Sequence, residues 1–181
     1  MKKTALIVIG LCLLADSTLA GFRIELKGSY FQSENKIFRE VYGSAFKPGL
    51  EVGLTIVKNL SIWAGVDYFQ KSGGLTVTEE ETKVWLMPVS AGLRYEIPAG
   101  EKLLLHVAAG VQEVFFKEDS SLGTTKKNAL GFIVKGGLIF RLTSALGIDL
   151  FAGWSTSSMK NGDVEFKVGG LDLGGGLNIR F

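Results

Sequence analysis

The chain has 181 residues, with 20 basic and 18 acidic side chains and a formal net charge of +2. This near balance gives no argument for nucleic acid as a partner, and a single cysteine excludes an internal disulfide framework. After the first 20 residues, no uninterrupted apolar stretch reaches the roughly 20 residues that a membrane helix needs. Any membrane crossing there must use strands closed into a barrel, because lipid offers no partner to open strand edges.

Residues 1–20 have the order of a secretory signal peptide. Two lysines precede an apolar run over residues 4–14, and small residues lead to Ala20. The run of about eleven residues is too short for a bilayer-spanning helix, and Cys12 follows a leucine, which does not fit a lipid-attachment site. We predict cleavage after Ala20. The remaining domain, residues 21–181, keeps 18 basic and 17 acidic residues and no cysteine.

From residue 22 onward the dominant hydrophobic period is two. Apolar residues alternate with polar residues or glycine, which predicts strands with one apolar and one polar face. Eight segments show this pattern over about ten residues each, the length that a tilted membrane strand needs. They are residues 22–30, 46–56, 60–69, 85–97, 103–112, 130–142, 146–155 and 171–181.

Short and long connections alternate strictly between these segments. Short turns lie at Lys58-Asn59, at residues 98–100 and at Thr143-Ser144, all with turn-forming residues. The other four connections are long and polar. Outer-membrane barrels place short turns on the periplasmic side and long loops outside. The sequence therefore predicts an all-β, eight-stranded antiparallel up-and-down transmembrane β-barrel with both termini in the periplasm.

A soluble eight-stranded barrel of the lipocalin type would share the alternation but turn its apolar face inward. The many glycines on the polar faces suit a narrow lumen better than a solvated surface. The apolar faces also carry aromatic residues near both ends, as two membrane interfaces select. Towards the long loops these are Tyr30, Phe46, Tyr68, Trp85 and Trp154, and towards the short turns Phe22, Tyr95, Phe140 and Phe181.

The mature chain resembles the small outer-membrane β-barrel family that includes the OmpA transmembrane domain, the OmpX-type proteins and the opacity-like surface proteins. Its end, from Gly174 to Phe181, resembles the C-terminal signal read by the outer-membrane assembly machinery, with Gly176, Ile179 and Phe181 in matching positions. Gly174 departs from that pattern, where a polar residue is usual. The resemblance implies a bacterial outer-membrane location and contact with outer-membrane lipid, lipopolysaccharide and the assembly machinery, in a monomeric barrel.

Charges of both signs fall on the predicted lumen face. They are Arg23, Lys27, Arg94, Lys135, Arg141 and Arg180 against Glu25, Glu51, Asp67, Glu96, Asp149 and Asp172. Eight strands leave an interior just wide enough for side chains, and buried charges must be paired. We therefore predict a salt-bridged plug in place of a wide pore; an ion path or an acid–base pair is the alternative.

His106 is the only histidine and the natural candidate for a general base or a metal ligand. The predicted strand pairing places it near Gly92 and Arg94, and a cation is a poor partner for a base. Some outer-membrane barrels modify lipid A with a histidine and a serine, but Val107 and Ala108 follow His106, so no His-x-Ser arrangement matches. We predict no catalytic, metal-binding or cofactor-binding residue and no cofactor.

The long loops are the remaining functional surface. The first loop, at about residues 33–45, mixes basic and apolar residues and suits contact with lipopolysaccharide or a partner. The second loop contains Glu79 to Glu81, which could attract divalent cations. In the third loop, Lys126 and Lys127 lie beside acidic residues. Our first hypothesis is a non-enzymatic surface barrel that serves envelope integrity, adhesion or surface interaction. The alternative is a narrow transport barrel for small apolar molecules, or a lipid-modifying enzyme.

Overall fold

The computed structural model describes residues 21–74, 81–120, 123–161 and 164–181, so the predicted signal peptide lies outside the described residues. One sheet accounts for nearly all of them, together with one short helix. In chain order the elements are β1 (Phe22–Ser33), α1 (Lys36–Tyr42), β2 (Ala45–Val57), β3 (Leu60–Asp67), β4 (Phe69–Gly74), β5 (Glu81–Pro98), β6 (Leu103–Ser120), β7 (Gly123–Arg141), β8 (Leu146–Asn161) and β9 (Val164–Arg180).

The sheet is antiparallel and closes into a ring, because β1 pairs with both β2 and β9 and β3 pairs with β5. Following the paired residues from Phe22 once around the ring returns to β1 at Gln32, a shift of ten residues. Such a shift requires strands tilted by about 40° and an interior that side chains can fill. The predicted closed barrel is confirmed.

The third predicted strand is divided at Tyr68, so nine strands form eight positions around the ring. Strands β3 and β4 pair with β5 in one continuous register, from Val66↔Val89 to Phe69↔Leu86. The interruption between β3 and β4 lies beside Pro88 of β5, which has no backbone N–H to donate to the neighbouring strand. On its other side, Tyr68 still donates its backbone N–H to the Pro48 carbonyl of β2 at 2.8 Å.

The connections match the prediction at one end only. The three short turns join β2 to β3, β5 to β6 and β7 to β8 where predicted; we call this the short-turn end and the opposite one the long-loop end. The predicted long connections after the third, fifth and seventh segments are wrong over most of their length. Paired strands continue there to Gly74↔Glu81, Ser120↔Gly123 and Asn161↔Val164. Backbone pairing persists there although polar side chains such as Lys117 and Lys126 occupy the outer face of the β6–β7 hairpin.

The two faces of the wall have the predicted polarity. Large apolar side chains on the outer face are exposed, such as Phe132 and Leu173, each at 65%. Charged side chains on the inner face are buried, such as Glu51 at 1%. The lipocalin-like inversion is therefore excluded. Both predicted aromatic belts carry exposed rings on the outer face, at Tyr30, Phe46, Tyr68 and Trp154 towards the long-loop end and at Tyr95, Phe140 and Phe181 towards the short-turn end.

The first predicted loop contains helix α1, which packs over the long-loop mouth of the lumen. The Asn35 side chain begins the helix by accepting the Phe38 backbone N–H at 3.2 Å, and Gly43 ends it with φ +66°, a conformation that favours glycine. The helix packs on an apolar cluster that fills the half of the lumen nearer the long-loop end, which we call the upper lumen. Its buried members are Phe31, Tyr42, Phe69, Val84, Leu86, Val114, Ala129 and Val168.

Candidate functional site: the filled lumen and the long-loop surface

Glu51 is the centre of a buried ion-pair network in the half of the lumen nearer the short turns. Its carboxylate accepts from Arg23 Nη2 at 2.8 Å and lies 3.4 Å from Arg94 Nη1 and 3.7 Å from Lys27 Nζ. Lys135 Nζ also donates to it and lies 3.8 Å from the centroid of the Trp63 ring. One carboxylate of β2 therefore faces four cations from three other strands, β1, β5 and β7, which links the barrel wall across its interior.

Arg94 extends this network to three further carboxylates. Its guanidinium lies 3.5 Å from Glu25, 3.4 Å from Asp149 and 3.2 Å from Glu96. Glu96 in turn accepts two hydrogen bonds from Arg180, at 2.9 and 3.0 Å, near the short-turn mouth. The bidentate geometry adds directional strength to that last pair.

Nearer the long-loop end, two more pairs complete the set. Lys47 donates to Asp172 at 2.7 Å, and Lys27 lies 3.0 Å from Asp67. Ser29 also donates to Asp172, at 2.8 Å. Among the described residues, the buried network balances six lysines and arginines against six carboxylates. Its cations are Arg23, Lys27, Lys47, Arg94, Lys135 and Arg180, and its anions are Glu25, Glu51, Asp67, Glu96, Asp149 and Asp172.

The network confirms eleven of the twelve predicted lumen charges and corrects one. Arg141 lies at the short-turn end, where its guanidinium donates to the Glu101 backbone carbonyl at 2.6 Å. Its strand ends at this residue, so the side chain reaches the neighbouring turn and not the interior. Lys47 takes its place in the charge balance. Alternation with the exposed Phe46 was the signal that could have identified Lys47 as a lumen residue.

Glycines on the lumen face leave the space that these side chains occupy. A Cβ added to Gly49 would overlap the Asp67 carboxylate, and a Cβ added to Gly137 would overlap the His106 ring and the β8 backbone. By contrast, a Cβ on the neighbouring Gly136 would meet its nearest atom at 3.6 Å, an ordinary contact. The glycine-rich polar faces thus serve the crowded interior, as the sequence indicated.

His106 is 2% exposed, and its Nε2 lies 2.9 Å from Asp149 Oδ1. It is the direct cross-strand partner of Glu96, whereas Arg94 pairs with Ala108. The predicted neighbourhood of Gly92 is therefore wrong, since Gly92 pairs with Gly110. The sequence also did not identify Asp149, two strands away, as the partner of the ring. Nδ1 has no hydrogen-bond partner within the described part of the chain. A histidine–carboxylate pair is present, and no serine hydroxyl hydrogen-bonds the ring within the described residues.

Among the described residues, the free volume along the lumen differs between levels. At the short-turn mouth a cavity of about 170 Å³ is lined by residues that include Arg23, Glu96 and Arg180. Around Glu25, Arg94, His106, Lys135 and Asp149 the free volume falls to about 0 Å³. Only about 10 Å³ remains beneath the apolar cluster of the upper lumen. A charged layer and an apolar layer thus close the interior in series.

A hydrogen-bonded group fastens α1 over the long-loop mouth. Tyr42 is 6% exposed; its hydroxyl donates to Glu118 Oε1 at 2.5 Å and lies 3.2 Å from Thr82 Oγ1. Burial and the hydrogen bond to Glu118 raise the pKa of Tyr42 to about 12. The phenol therefore stays protonated and available as a donor across the physiological pH range.

The other loop candidates have separate outcomes. Lys126 and Lys127 lie on strand β7 and not in a loop, while Glu79 and Glu80 lie outside the described residues. In the segments that the structure covers, no group of three or more histidine, cysteine, aspartate or glutamate side chains is placed to hold a metal ion. Among those same residues, no helix has the length and hydrophobicity to traverse a bilayer.

No protein-family model and no curated protein matches the chain, but solved structures do. Neisserial surface protein A has 15% identity and a TM-score of 0.69, over 88% of this chain and 97% of that one. OprG from Pseudomonas aeruginosa has 12% identity and a TM-score of 0.62, over 90% of this chain and 96% of that one. A third similar structure is that of Ail, the attachment invasion locus protein of Yersinia pestis, solved with the heparin analogue sucrose octasulfate. It has 17% identity and a TM-score of 0.54, over 88% of this chain and 97% of that one. The chain therefore has the fold of the small eight-stranded outer-membrane β-barrels.

Proposed function

We propose that the protein is a non-enzymatic, monomeric barrel of a bacterial outer membrane, closed to solutes, whose long-loop end faces the cell exterior as an interaction surface. The observation that carries the proposal is the filled lumen. Six cations are paired with six anions along the lumen, and around Arg94, Lys135 and Asp149 the free volume falls to about 0 Å³. The apolar cluster packs above these pairs. A path for solutes would have to separate several of these pairs at once.

The surroundings of the wall support the membrane setting. The outer face is apolar around the ring and bounded by two aromatic belts, as a lipid bilayer requires. Both ends of the barrel domain lie at the short-turn end, where Phe181 donates its backbone N–H to the Phe22 carbonyl at 2.9 Å. Placing that end in the periplasm puts α1 and the extended hairpins outside the cell, and offers strand β9 to the assembly machinery.

The long-loop end supplies the surface for the proposed role in adhesion, surface interaction or envelope integrity. Helix α1 presents Ile37, 69% exposed, beside the exposed Lys36 and Glu40, and two hairpins rise beside it. Among the similar structures, the one from Yersinia pestis is of an attachment invasion locus protein, which makes surface attachment the first role to test.

The closed lumen is tested by conductance. The protein, reconstituted in planar lipid bilayers, should give no steady current steps. The double variant Glu51→Ser/Lys135→Ser keeps the charge balance but removes two long side chains from the charged layer, so it provides a control for detecting a widened lumen. Steady conductance by the wild-type protein would overturn the closed barrel.

The surface role and the absence of catalysis are tested in a deletion strain. Adhesion to host cells or abiotic surfaces should fall and be restored by the wild-type chain, but not by a chain in which a short turn replaces residues 34–44. The mass profile of lipid A should be unchanged by the deletion. An altered acyl pattern would contradict a non-enzymatic role, and unchanged adhesion would contradict the attachment role.

The upper lumen favours a second candidate, transport of small apolar molecules. Its wall under α1 is apolar, at the level where the strand gap beside Pro88 interrupts the ladder. The free volume of about 10 Å³ requires side chains to move before a ligand fits. Faster uptake of an apolar solute, such as octane, by vesicles containing the protein than by empty vesicles would favour this candidate over the first.

A further inference from the structure

Three lysines on neighbouring strands form a cationic patch on the outer face of the wall, at the long-loop end. Lys117 of β6 and Lys126 of β7 are direct cross-strand partners, and Lys83 of β5 lies opposite Asp119, two residues beyond Lys117. Lys83 and Lys126 are exposed, and the Lys117 side chain is 41% exposed. We call Lys83, Lys117 and Lys126 the lysine patch.

The patch lies directly above the apolar band. Trp85, Lys117 and Lys126 form one row of paired residues, and Lys117 Nζ lies 4.5 Å from the centroid of the Trp85 ring. The next outward-facing row towards the short turns consists of Met87, Phe115 and Asn128, of which Met87 and Phe115 are 42% and 36% exposed. Aromatic residues mark the membrane interface, so the three ammonium groups stand at the level of lipid headgroups.

The charges of the patch are only partly offset by the protein. Lys117 Nζ donates to Asp119 Oδ2 at 2.7 Å, and Thr124 donates to Oδ1 at 2.7 Å. In the described part of the chain, Lys83 and Lys126 have no carboxylate within ion-pair distance. The next acidic group on this face, Glu113, is bound by Asn128 at 3.1 Å. Like charges directly opposite each other destabilise a strand pair, so the Lys117–Lys126 pair favours an external anion.

We propose that the lysine patch binds the phosphate groups of an outer-leaflet glycolipid of the lipid A type, whose acyl chains lie on the apolar wall below. This inference rests on the proposed outer-membrane location. A phosphate between Lys117 and Lys126 would relieve their repulsion while Lys83 closes the site from β5. Exposed apolar side chains directly beneath, including Met87, Phe115 and Leu130, provide the surface for the chains.

The test compares two double variants that remove the same charge from the same end of the barrel. Lys117→Gln/Lys126→Gln removes the facing pair. Lys71→Gln/Lys127→Gln is the matched control, because Lys71 of β4 pairs with the inward-facing Val84 and Lys127 lies on the opposite face of β7 from Lys126. Lys117→Arg/Lys126→Arg keeps the charge. Heat-modifiable migration in detergent gels verifies that each purified protein is folded.

Native mass spectrometry of each protein in detergent measures binding of lipid A, of lipid A with both phosphates removed, and of inorganic phosphate. At about 1 kcal/mol for each lysine near an anionic surface, the glutamine pair should weaken lipid A binding about thirtyfold. The arginine pair and the control should bind as the wild type does.

Equal lipid A affinity in the glutamine pair, or equal binding of the dephosphorylated lipid, would overturn the proposal. Displacement of lipid A by millimolar inorganic phosphate would instead identify an ion site and would also overturn it. Conductance by the wild-type barrel is a separate readout and concerns only the closed lumen, so the two failures are distinguishable.

Discussion

Replacing Glu51 by glutamine removes one negative charge from the centre of the lumen and leaves four cations facing a neutral amide. Arg23, Lys27, Arg94 and Lys135 all lie at the Glu51 carboxylate, and its side chain has no exposure to solvent. Breaking a buried ion pair by removing one partner costs about 3–5 kcal/mol, because the remaining charge is left without compensation. We expect Glu51→Gln to lower the free energy of unfolding by about that amount.

The double variant Glu51→Gln/Lys135→Gln restores the balance of charge and should recover at least half of the loss. Unfolding in urea, in lipid vesicles, is followed by tryptophan fluorescence and by gel migration of unboiled samples. A cost below about 1 kcal/mol for Glu51→Gln, in the range of exposed ion pairs, would refute the reasoning. So would a double variant no more stable than the single one, since charge balance would then not be the source of the effect.

Four further predictions concern the barrel wall and helix α1. Boiling should change the migration of the folded barrel in detergent gels, and deletion of Phe181 should reduce the heat-modifiable fraction in outer membranes; normal insertion would exclude its role in assembly. Gly137→Val should destabilise the barrel by about 1–3 kcal/mol through overpacking, whereas Gly136→Val on the outer face should have little effect; equal urea midpoints would contradict the crowded lumen. The pKa of Tyr42 is raised to about 12 from an ordinary value near 10. The packing of α1 should therefore be intact below about pH 10 and lost towards pH 12, as measured by protease cleavage within α1. Cleavage that is independent of pH over this range, or unaffected by Tyr42→Phe, would contradict this prediction.

The faces of the strands were predictable because lipid selects one of them. Inside the membrane every outward side chain must be apolar, so a period of two assigns Arg23 and Glu25 to the lumen from the sequence alone. Beyond the aromatic belt this selection ends, and charged side chains such as Lys117 and Lys126 occupy the outer face. The hairpin around Lys117 and Lys126 therefore looks like a loop in sequence, although backbone pairing continues through it.

Partners across the barrel could not be read from the sequence. The break at Tyr68 depends on Pro88 of the neighbouring strand, and the His106–Asp149 contact depends on residues two strands apart that meet only when the ring closes. Arg141 was misplaced because alternation predicts a face but not where a strand stops. Lys47 shows the opposite case, since its parity with Gly49 and Glu51 already placed it in the lumen.

The energetic scale of the plug determines where function can reside. If separating each buried pair costs about as much as breaking one by substitution, two pairs require about 6–10 kcal/mol. An open lumen would then be populated less than about once in ten thousand molecules. A ligand that opened it would have to supply that difference in binding free energy, yet the central layer has about 0 Å³ in which to make contacts. The loops, the hairpins and the lysine patch bear no such cost, so binding at the outer surfaces is favoured over passage through the interior.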